Sequence, residues 1–266
     1  MIQPYMVAPF DVRWIYYEPR LLGRARFSLL RHLLNDNLAL VFMRQTTNPG
    51  TYDHFLITEF LVSDRVFYSA HGAPFVAPLY LHAPEKSSAN LRHEYVAELE
   101  KRLGLSYIDA DQNRGGAFRA IDVLRAIYAV VHQQDYRDRY RELLSVDFPR
   151  IPWPADRDQF WDWCAEGRRL METLLAAMSR NPIPDAQREM GPCVVQRGYP
   201  RWEAGQLQLG PESVWPETIE EPVWTARVGG YQVLARWLKQ RTGQHSDPAE
   251  LRRLVEALRS YGSVEQ

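Results

Sequence analysis

The chain is poor in lysine and cysteine and has no long apolar runs, and each of these features excludes some classes of protein. Only three of its 32 basic residues are lysine, so nearly all of its positive charge is arginine. Its two cysteines, Cys164 and Cys193, lie far apart without a CxxC spacing. This excludes a structural zinc site and predicts two buried, reduced thiols. No apolar run approaches the roughly 18 residues of a membrane-spanning helix, and no signal-peptide pattern is present. We therefore expect a soluble, cytoplasmic protein without membrane contact.

Recognisable catalytic motifs are also missing. There is no GxxxxGK[ST] phosphate loop, no HExxH and no GxSxG. The glycine-rich turn that holds S-adenosylmethionine and the Asn/Asp-Pro-Pro-aromatic motif of amino methyltransferases are absent, and the nearest stretches, at 48–50 and 181–184, are typical of turns. The seven histidines are scattered. We predict no catalytic residue, no metal site and no cofactor bound by this chain.

The positions of the arginines in the sequence are more informative than their number. The net charge of the 266 residues is −1, and a GC-rich genome would enrich arginine everywhere. The first 50 residues, however, hold six arginines against three acidic residues. The stretch APFDVRWIYYEPRLLGRARF, at 8–27, alternates them with aromatic residues. A guanidinium group is a planar fork of donors that suits phosphate groups and guanine edges, so this segment favours a nucleic-acid partner.

The order of predicted elements indicates an α+β fold. Strands are predicted at 38–45, 55–62, 75–82, 192–198 and 223–230, and helices at 91–103, 117–144, 157–177, 231–243 and 246–260. Asp147 to Pro154 (DFPRIPWP) is too rich in proline for a helix and forms an extended corner, in which Trp153 fills an apolar gap. We predict a β-rich recognition subdomain at 1–116, a helical spacer at 117–185 and a smaller strand-plus-helix subdomain at 186–266.

Three sequence blocks carry a resemblance to a known family. PFDVRWIYYEP, DFPRIPWP and VGGYQVLARWLKQR, with NDNLALVFMRQ, HFLITEFLVSD and APLYLH between them, resemble the C-terminal specificity region of type ISP restriction–modification enzymes and their type IIG relatives. The resemblance runs in order from about residue 9 to 257. It implies a target-recognition domain that follows an adenine-N6 methyltransferase domain and grips duplex DNA while one adenine is flipped out. S-adenosylmethionine is then expected on a partner methyltransferase domain, and this chain is an isolated specificity module, a split-gene product or a remnant.

Residue chemistry selects candidates for the DNA contact. Arginine reads guanine, asparagine or glutamine reads adenine, and basic groups on phosphates set the register. Such side chains belong on loops and strand ends held by a rigid scaffold. The predicted DNA-binding residues are Arg13, Arg24, Arg26, Arg44, Gln45, Arg65, Arg114 and Arg150.

Several of these positions have a structural alternative. Arg13 either pairs with Asp11 or contacts DNA. Trp14, Tyr16 and Tyr17 are predicted to lie in the core or in a seam between domains. Alternatively, Tyr17 or Trp14 packs near the flipped nucleotide or against the methyltransferase domain. The N–H groups of a turn at Gly229 and Gly230 offer a place for a phosphate.

Two other functions stay open. The chain can be a protein–protein module, or a decayed remnant, that docks on a methyltransferase without reading DNA. It can also be an enzyme with an unrecognised site, which would show a deep pocket with convergent carboxylate and histidine groups. A DNA-binding domain would instead show its arginines gathered on one face.

Overall fold

The computed structural model describes residues 1–45, 53–69, 72–109, 116–178 and 193–262. These residues form small sheets and helices around a shared core, which confirms the predicted α+β class. Buried residues of the main core include Met6, Tyr128 and Leu251, one from each predicted subdomain. The boundary predicted after residue 185 lies outside the described residues, and the division into subdomains stays a prediction.

The N-terminal part consists of eight strands among the described residues and one turn of helix. The strands are β1 (Ile2–Ala8), β2 (Asp11–Tyr16), β3 (Ala39–Phe42), β4 (Phe55–Thr58), β5 (Leu61–Val62), β6 (Phe75–Pro78), β7 (Tyr80–Leu81) and β8 (Ser88–Ala89). The helix is α1 (Phe27–Leu30), continued by a 3₁₀ turn at Arg31–Leu33. The strands form two three-stranded sheets, ordered β2-β1-β5 and β4-β3-β6, and the pair β7-β8.

Two predicted strands are each divided between two sheets. Residues 55–62 become β4 and β5 because Thr58 turns the chain: its hydroxyl accepts a hydrogen bond from Phe60 N at 2.9 Å. Residues 75–82 become β6 and β7, divided at Leu79, whose N–H donates to Leu38 O. The apolar runs were therefore correctly predicted as strands, but not as single ones.

Three connecting segments meet at one end of the β4-β3-β6 sheet. Phe42, the last residue of β3, stands opposite both Phe55 and Phe75, the first residues of β4 and β6. Because both pairings are antiparallel, the residues after β3 and those before β4 and β6 meet at this end. We call it the Phe42 edge.

The central part is mainly helical. Its elements are α2 (His93–Leu103), β9 (Ser106–Tyr107), β10 (Ala117–Phe118), α3 (Ala120–His132), α4 (Gln134–Arg139), α5 (Arg141–Val146) and α6 (Arg157–Met178). The structure confirms α2, which ends at Gly104 in the left-handed conformation (φ 62°), and α6. The prediction of one helix over 117–144 is wrong. Its first residues form β10, and the extended backbone of Gln133 separates α3 from α4.

Helices α3 and α6 pack against each other, with a glycine at their contact. Gly167 of α6 lies so close to α3 that a Cβ atom there would be 1.9 Å from the backbone oxygen of Arg125. The two helices also enclose Cys164, whose Sγ donates to Asp122 O at 3.2 Å. Cys164 and Cys193 are both free and buried, as predicted, and burial raises the pKa of the Cys164 thiol to about 12.

The C-terminal part alternates short strands and helices. Its elements are β11 (Cys193–Val194), β12 (Arg201–Glu203), β13 (Gln206–Gln208), α7 (Glu221–Thr225), β14 (Arg227–Val228), β15 (Tyr231–Gln232), α8 (Val233–Lys239), β16 (His245–Ser246) and α9 (Pro248–Gly262). The strand predicted at 223–230 is wrong over its first half, which belongs to α7. Pro222 near the start of α7 suits a first helical turn. The predicted start of α9 is confirmed, since Asp247 accepts a hydrogen bond from Ala249 N at 3.0 Å.

A buried histidine makes the fold sensitive to acid. His132 donates from Nδ1 to Tyr128 O at 2.7 Å and accepts at Nε2 from the Tyr261 hydroxyl at 3.1 Å. Its burial lowers the pKa of the imidazole to about 3, whereas an unfolded histidine binds its proton near pH 6.5. The unfolded state therefore takes up the proton first as the pH falls.

We expect the free energy of unfolding to decrease between about pH 6.5 and pH 3, by up to about 1.4 kcal/mol per pH unit from this one group. Urea unfolding at about pH 7 and pH 5 measures this loss. A His132→Gln variant, less stable at neutral pH, should show a flatter dependence over the same interval. An equally steep dependence in the variant would contradict the assignment.

Candidate nucleic-acid interface

The residues that follow β3 meet the proline-rich corner at the Phe42 edge. Arg44 is exposed and Gln45 is half-buried. The Arg44 guanidinium lies 5.6 Å from the centre of the Phe148 ring, and its Nε is 3.4 Å from Asp147 Oδ1. Asp147 Oδ2 is 3.9 Å from a terminal nitrogen of Arg150. One carboxylate thus lies between two of the predicted DNA-binding arginines, which are more than 100 residues apart in sequence.

A cluster of three phenylalanines supports this arrangement. Phe75 stacks on Phe42 with ring centres 5.8 Å apart, and Phe148 meets the Phe75 ring edge-on at 4.9 Å. Phe148 also contacts Phe42. The corner at 147–154 is therefore bound to the sheet through an aromatic contact, and Phe75 itself stays partly exposed. The proline-rich segment is a rigid corner, as predicted, but Trp153 stacks on Tyr95 at the surface and does not fill a closed gap.

A second group of arginines adjoins the same edge. Arg26, in the left-handed conformation (φ 48°), donates from a terminal nitrogen to Pro74 O at 3.1 Å, directly before Phe75. Arg24 pairs with Asp64 at 3.1 Å. Arg65 follows Asp64 and is exposed, and it has no ion pair within the described residues. A continuous series of contacts through Pro74, Phe75 and Phe148 therefore connects the two groups.

We call this combined surface the arginine edge. Its members are six of the eight predicted residues: Arg24, Arg26, Arg44, Gln45, Arg65 and Arg150. Three of its five guanidinium groups pair with carboxylates: Arg24 with Asp64, and Arg44 and Arg150 with Asp147. The positive charge of these residues is thus partly neutralised.

The other two predicted residues are not part of it. Arg114 lies outside the described residues. Arg13 pairs with Asp11 at 2.9 Å, and the same buried carboxylate binds Arg241 at 2.9 Å. Arg241 is in turn 3.7 Å from the centre of the Trp237 ring. The structural alternative for Arg13 is therefore present, and its contact with DNA stays a prediction.

The aromatic residues of the first hairpin are only partly buried. Tyr17 is buried and donates to Ala25 O, as predicted for a core residue. Trp14 and Tyr16 are not core residues, since their exposed fractions are 62% and 58%; a place in a seam against another domain stays a prediction. They lie on one face of β2, opposite Pro4 and Ile2 of β1. Because both side chains are exposed, we call this the open face of the first hairpin.

The glycine turn does not offer its N–H groups to a phosphate. Gly229 and Gly230, both at positive φ, join β14 to β15. Gly229 N donates to Asp53 O at 2.9 Å, and Gly230 N donates to the Asp53 carboxylate at 3.2 Å. That prediction is therefore wrong, because both groups already have acceptors. Asp53 precedes β4 at the Phe42 edge, so these bonds attach the C-terminal part to this edge.

Sequence reasoning missed several residues of this region. Phe75, Phe148 and Asp147 were not among its candidates, although Asp147 and Phe148 lie in the quoted corner segment. Tyr68 was also missed: it is exposed, its N–H donates to Gly229 O, and its ring meets Tyr231 edge-on at 5.8 Å. No local pattern signals these contacts, since each joins distant parts of the chain.

One cavity lies beside the arginine edge. A cavity of about 380 Å³ borders the arginine edge and is lined by Tyr5, Tyr17, Leu22, Arg24 and Asp64, among others. Its lining contains one carboxylate and no histidine. Among the described residues, no group of three His, Cys, Asp or Glu side chains has a metal-binding arrangement. No helix in the described ranges is both long and apolar enough to cross a membrane.

Comparison with solved structures shows where this fold occurs. The ATP-dependent type ISP restriction–modification enzyme LlaBIII bound to DNA matches with a TM-score of 0.67 and 18% identity, over 99% of this chain and 18% of that one. The DrdV–DNA complex matches with a TM-score of 0.67 and 20% identity, over 99% and 27%. A nuclease-deletion mutant of the type ISP enzyme LlaGI, in complex with a DNA substrate mimic, matches with a TM-score of 0.61 and 20% identity, over 99% and 20%.

These identities show a shared fold, and the chain spans only about a fifth to a quarter of each enzyme. No curated protein sequence matches the chain. The profile described as "Type ISP C-terminal specificity domain" matches residues 1–256, nearly the whole sequence. The chain therefore belongs to the family of type ISP C-terminal specificity domains.

Proposed function

We propose that this chain binds duplex DNA at a short specific sequence, as the target-recognition module of a restriction–modification adenine methyltransferase. The arginine edge carries this proposal, because it gathers residues from four separate segments beside one rigid aromatic support. The fold supports it as well: the three solved enzymes that share it are named as complexes with DNA or with a DNA mimic.

Each member of the edge has a role that suits its chemistry. Arg44 and Gln45 stand where β3 ends, and their side chains match the acceptors of guanine and the donor–acceptor pair of adenine. Arg24, Arg65 and Arg150 are exposed and, like Arg44, also suit phosphate contacts, which set register without reading sequence. Arg26, bound to Pro74, holds the turn that carries Arg24.

Base flipping and methyl transfer belong, in this proposal, to a separate adenine methyltransferase domain or subunit that binds S-adenosylmethionine. The open face of the first hairpin is the surface offered to that partner. Ile2, Pro4, Trp14 and Tyr16 form an apolar patch there, and such patches on an otherwise polar surface mark protein contacts.

The test is the salt dependence of binding to a labelled random-sequence duplex. The logarithm of the association constant should fall linearly with the logarithm of salt concentration, by about 0.9 per phosphate contact. An Arg65→Ala variant should reduce that slope by about one. Arg168→Ala, on the exposed side of α6, removes an equal charge elsewhere and should leave it unchanged.

Binding that does not weaken between about 50 and 200 mM salt would contradict the proposal. The second candidate function, a docking module that does not read DNA, is favoured by the open hairpin face. Two results together would support this second function: no binding to a duplex at about 50 mM salt, and binding to a methyltransferase subunit through Trp14 and Tyr16.

A further inference from the structure

Asp11, Asp64 and Asp147 pair with predicted DNA-binding arginines. Asp11 and Asp147 differ in how deeply they are buried. The Asp11 side chain is 3% exposed and receives two guanidinium groups at 2.9 Å each. The Asp147 side chain is 37% exposed, and its distances to Arg44 and Arg150 are 3.4 and 3.9 Å. Short bonds to a buried carboxylate are costly to break, whereas long exposed pairs contribute little. Asp11 is therefore structural, and Asp147 can be displaced.

Asp147 is held at its place independently of the arginines. It follows the last residue of α5, and its N–H donates to Leu143 O. The backbone N–H of Phe148 beside its carboxylate, with the nearby Arg44 and Arg150, lowers the pKa of the carboxyl group. Phe148 is in turn fixed on Phe75. The negative charge thus stands between the two arginines at neutral pH.

A carboxylate and a phosphate make the same kind of charge-assisted hydrogen bond with a guanidinium group. A phosphate that binds Arg44 or Arg150 therefore competes with Asp147 for the same guanidinium groups. On DNA of any sequence this competition removes part of the energy of each arginine–phosphate contact. On the target sequence, base contacts add energy that random DNA cannot supply.

We infer that Asp147 competes with DNA phosphates for Arg44 and Arg150 and so lowers the affinity for duplex DNA, which leaves DNA without matching base contacts only weakly bound. This inference rests on the proposed function and adds a competing role for an acidic residue within the arginine edge. If the pair were only structural, loss of the carboxylate would leave DNA affinity unchanged or lower it. If Asp147 competes with phosphates, loss of the carboxylate should raise the affinity for random DNA.

The experiment compares Asp147→Asn with Glu172→Gln on a random-sequence duplex. Asparagine keeps the shape of the side chain but removes the charge. We expect Asp147→Asn to bind about fivefold more tightly at low salt, the upper range for an exposed pair. Its salt slope should be steeper by about one. Glu172→Gln breaks the exposed pair with Arg168 on α6 and adds the same net charge, and it should change the affinity less than twofold.

A second measurement excludes a general charge effect. In an Arg44→Ala/Arg150→Ala background, Asp147→Asn should lose its gain because the carboxylate has no arginine left to occupy. Unchanged or weaker binding by Asp147→Asn overturns the inference, and so does an equal gain from Glu172→Gln. These outcomes differ from failure of the proposed function, in which the wild-type chain itself shows no salt-dependent binding.

Discussion

An Arg44→Ala/Arg150→Ala variant should bind a random-sequence duplex about 30-fold more weakly than the wild-type chain, at about 2 kcal/mol for two charged contacts. Its salt slope should be smaller by about two. Both guanidinium groups are lost, and with them their contacts with the phosphates. Fluorescence anisotropy at several salt concentrations measures both the affinity and the slope.

Arg168→Ala/Arg169→Ala is the matched control. These two arginines are also exposed and also paired with carboxylates, those of Glu172 and Glu166, but they lie on α6. The control should bind DNA within about twofold of wild type. Thermal unfolding of both variants should stay near that of wild type, since exposed pairs contribute little to stability. Equal losses from the two variants would show that net charge, and not the arginine edge, determines binding.

A Gly167→Ala variant should lower the free energy of unfolding by about 3 kcal/mol or more. The added methyl group would lie 1.9 Å from the backbone oxygen of Arg125, so α3 and α6 must separate. Because α6 also contacts α9 and β4, the separation disturbs the core on several sides. Circular dichroism should show a Tm lower by roughly 6–12 °C for a chain of this size.

Gly23→Ala is the control for this substitution. No atom lies within 4 Å of a Cβ built at Gly23, and its φ is not in the left-handed region. Its unfolding free energy should stay within about 0.5 kcal/mol of wild type. If Gly167→Ala proves equally mild, the contact between α3 and α6 is looser than the structure shows.

The helices that could be predicted are those with local signals. Helix α2 has apolar residues at regular spacing and a glycine at its end, and α9 has Asp247 and Pro248 at its start. The break between α3 and α4 was missed because the apolar pattern continues across it, while the extended Gln133 interrupts the backbone hydrogen bonds. Regular spacing reports which face is apolar and does not report where the chain turns.

The candidate site was predicted in part for the same reason. Strand ends and turns are local features, and they led to Arg44 and Arg24. The contact between Arg44 and Asp147 joins residues 103 positions apart, and Asp53 reaches Gly230 over 177. Alternation identified β2 as a strand but could not tell that the side chains of Trp14 and Tyr16 would be exposed. Such contacts depend on how elements pack, which no short window of sequence contains.

The attachment of Asp53 to the glycine turn makes the C-terminal part a support of the Phe42 edge. The backbone oxygen and the carboxylate of Asp53 accept hydrogen bonds from the N–H groups of Gly229 and Gly230. The second of these bonds joins residues 177 positions apart. A form of the chain truncated before this turn would therefore lose an anchor of the edge, although the strands of the edge all belong to the first third of the sequence.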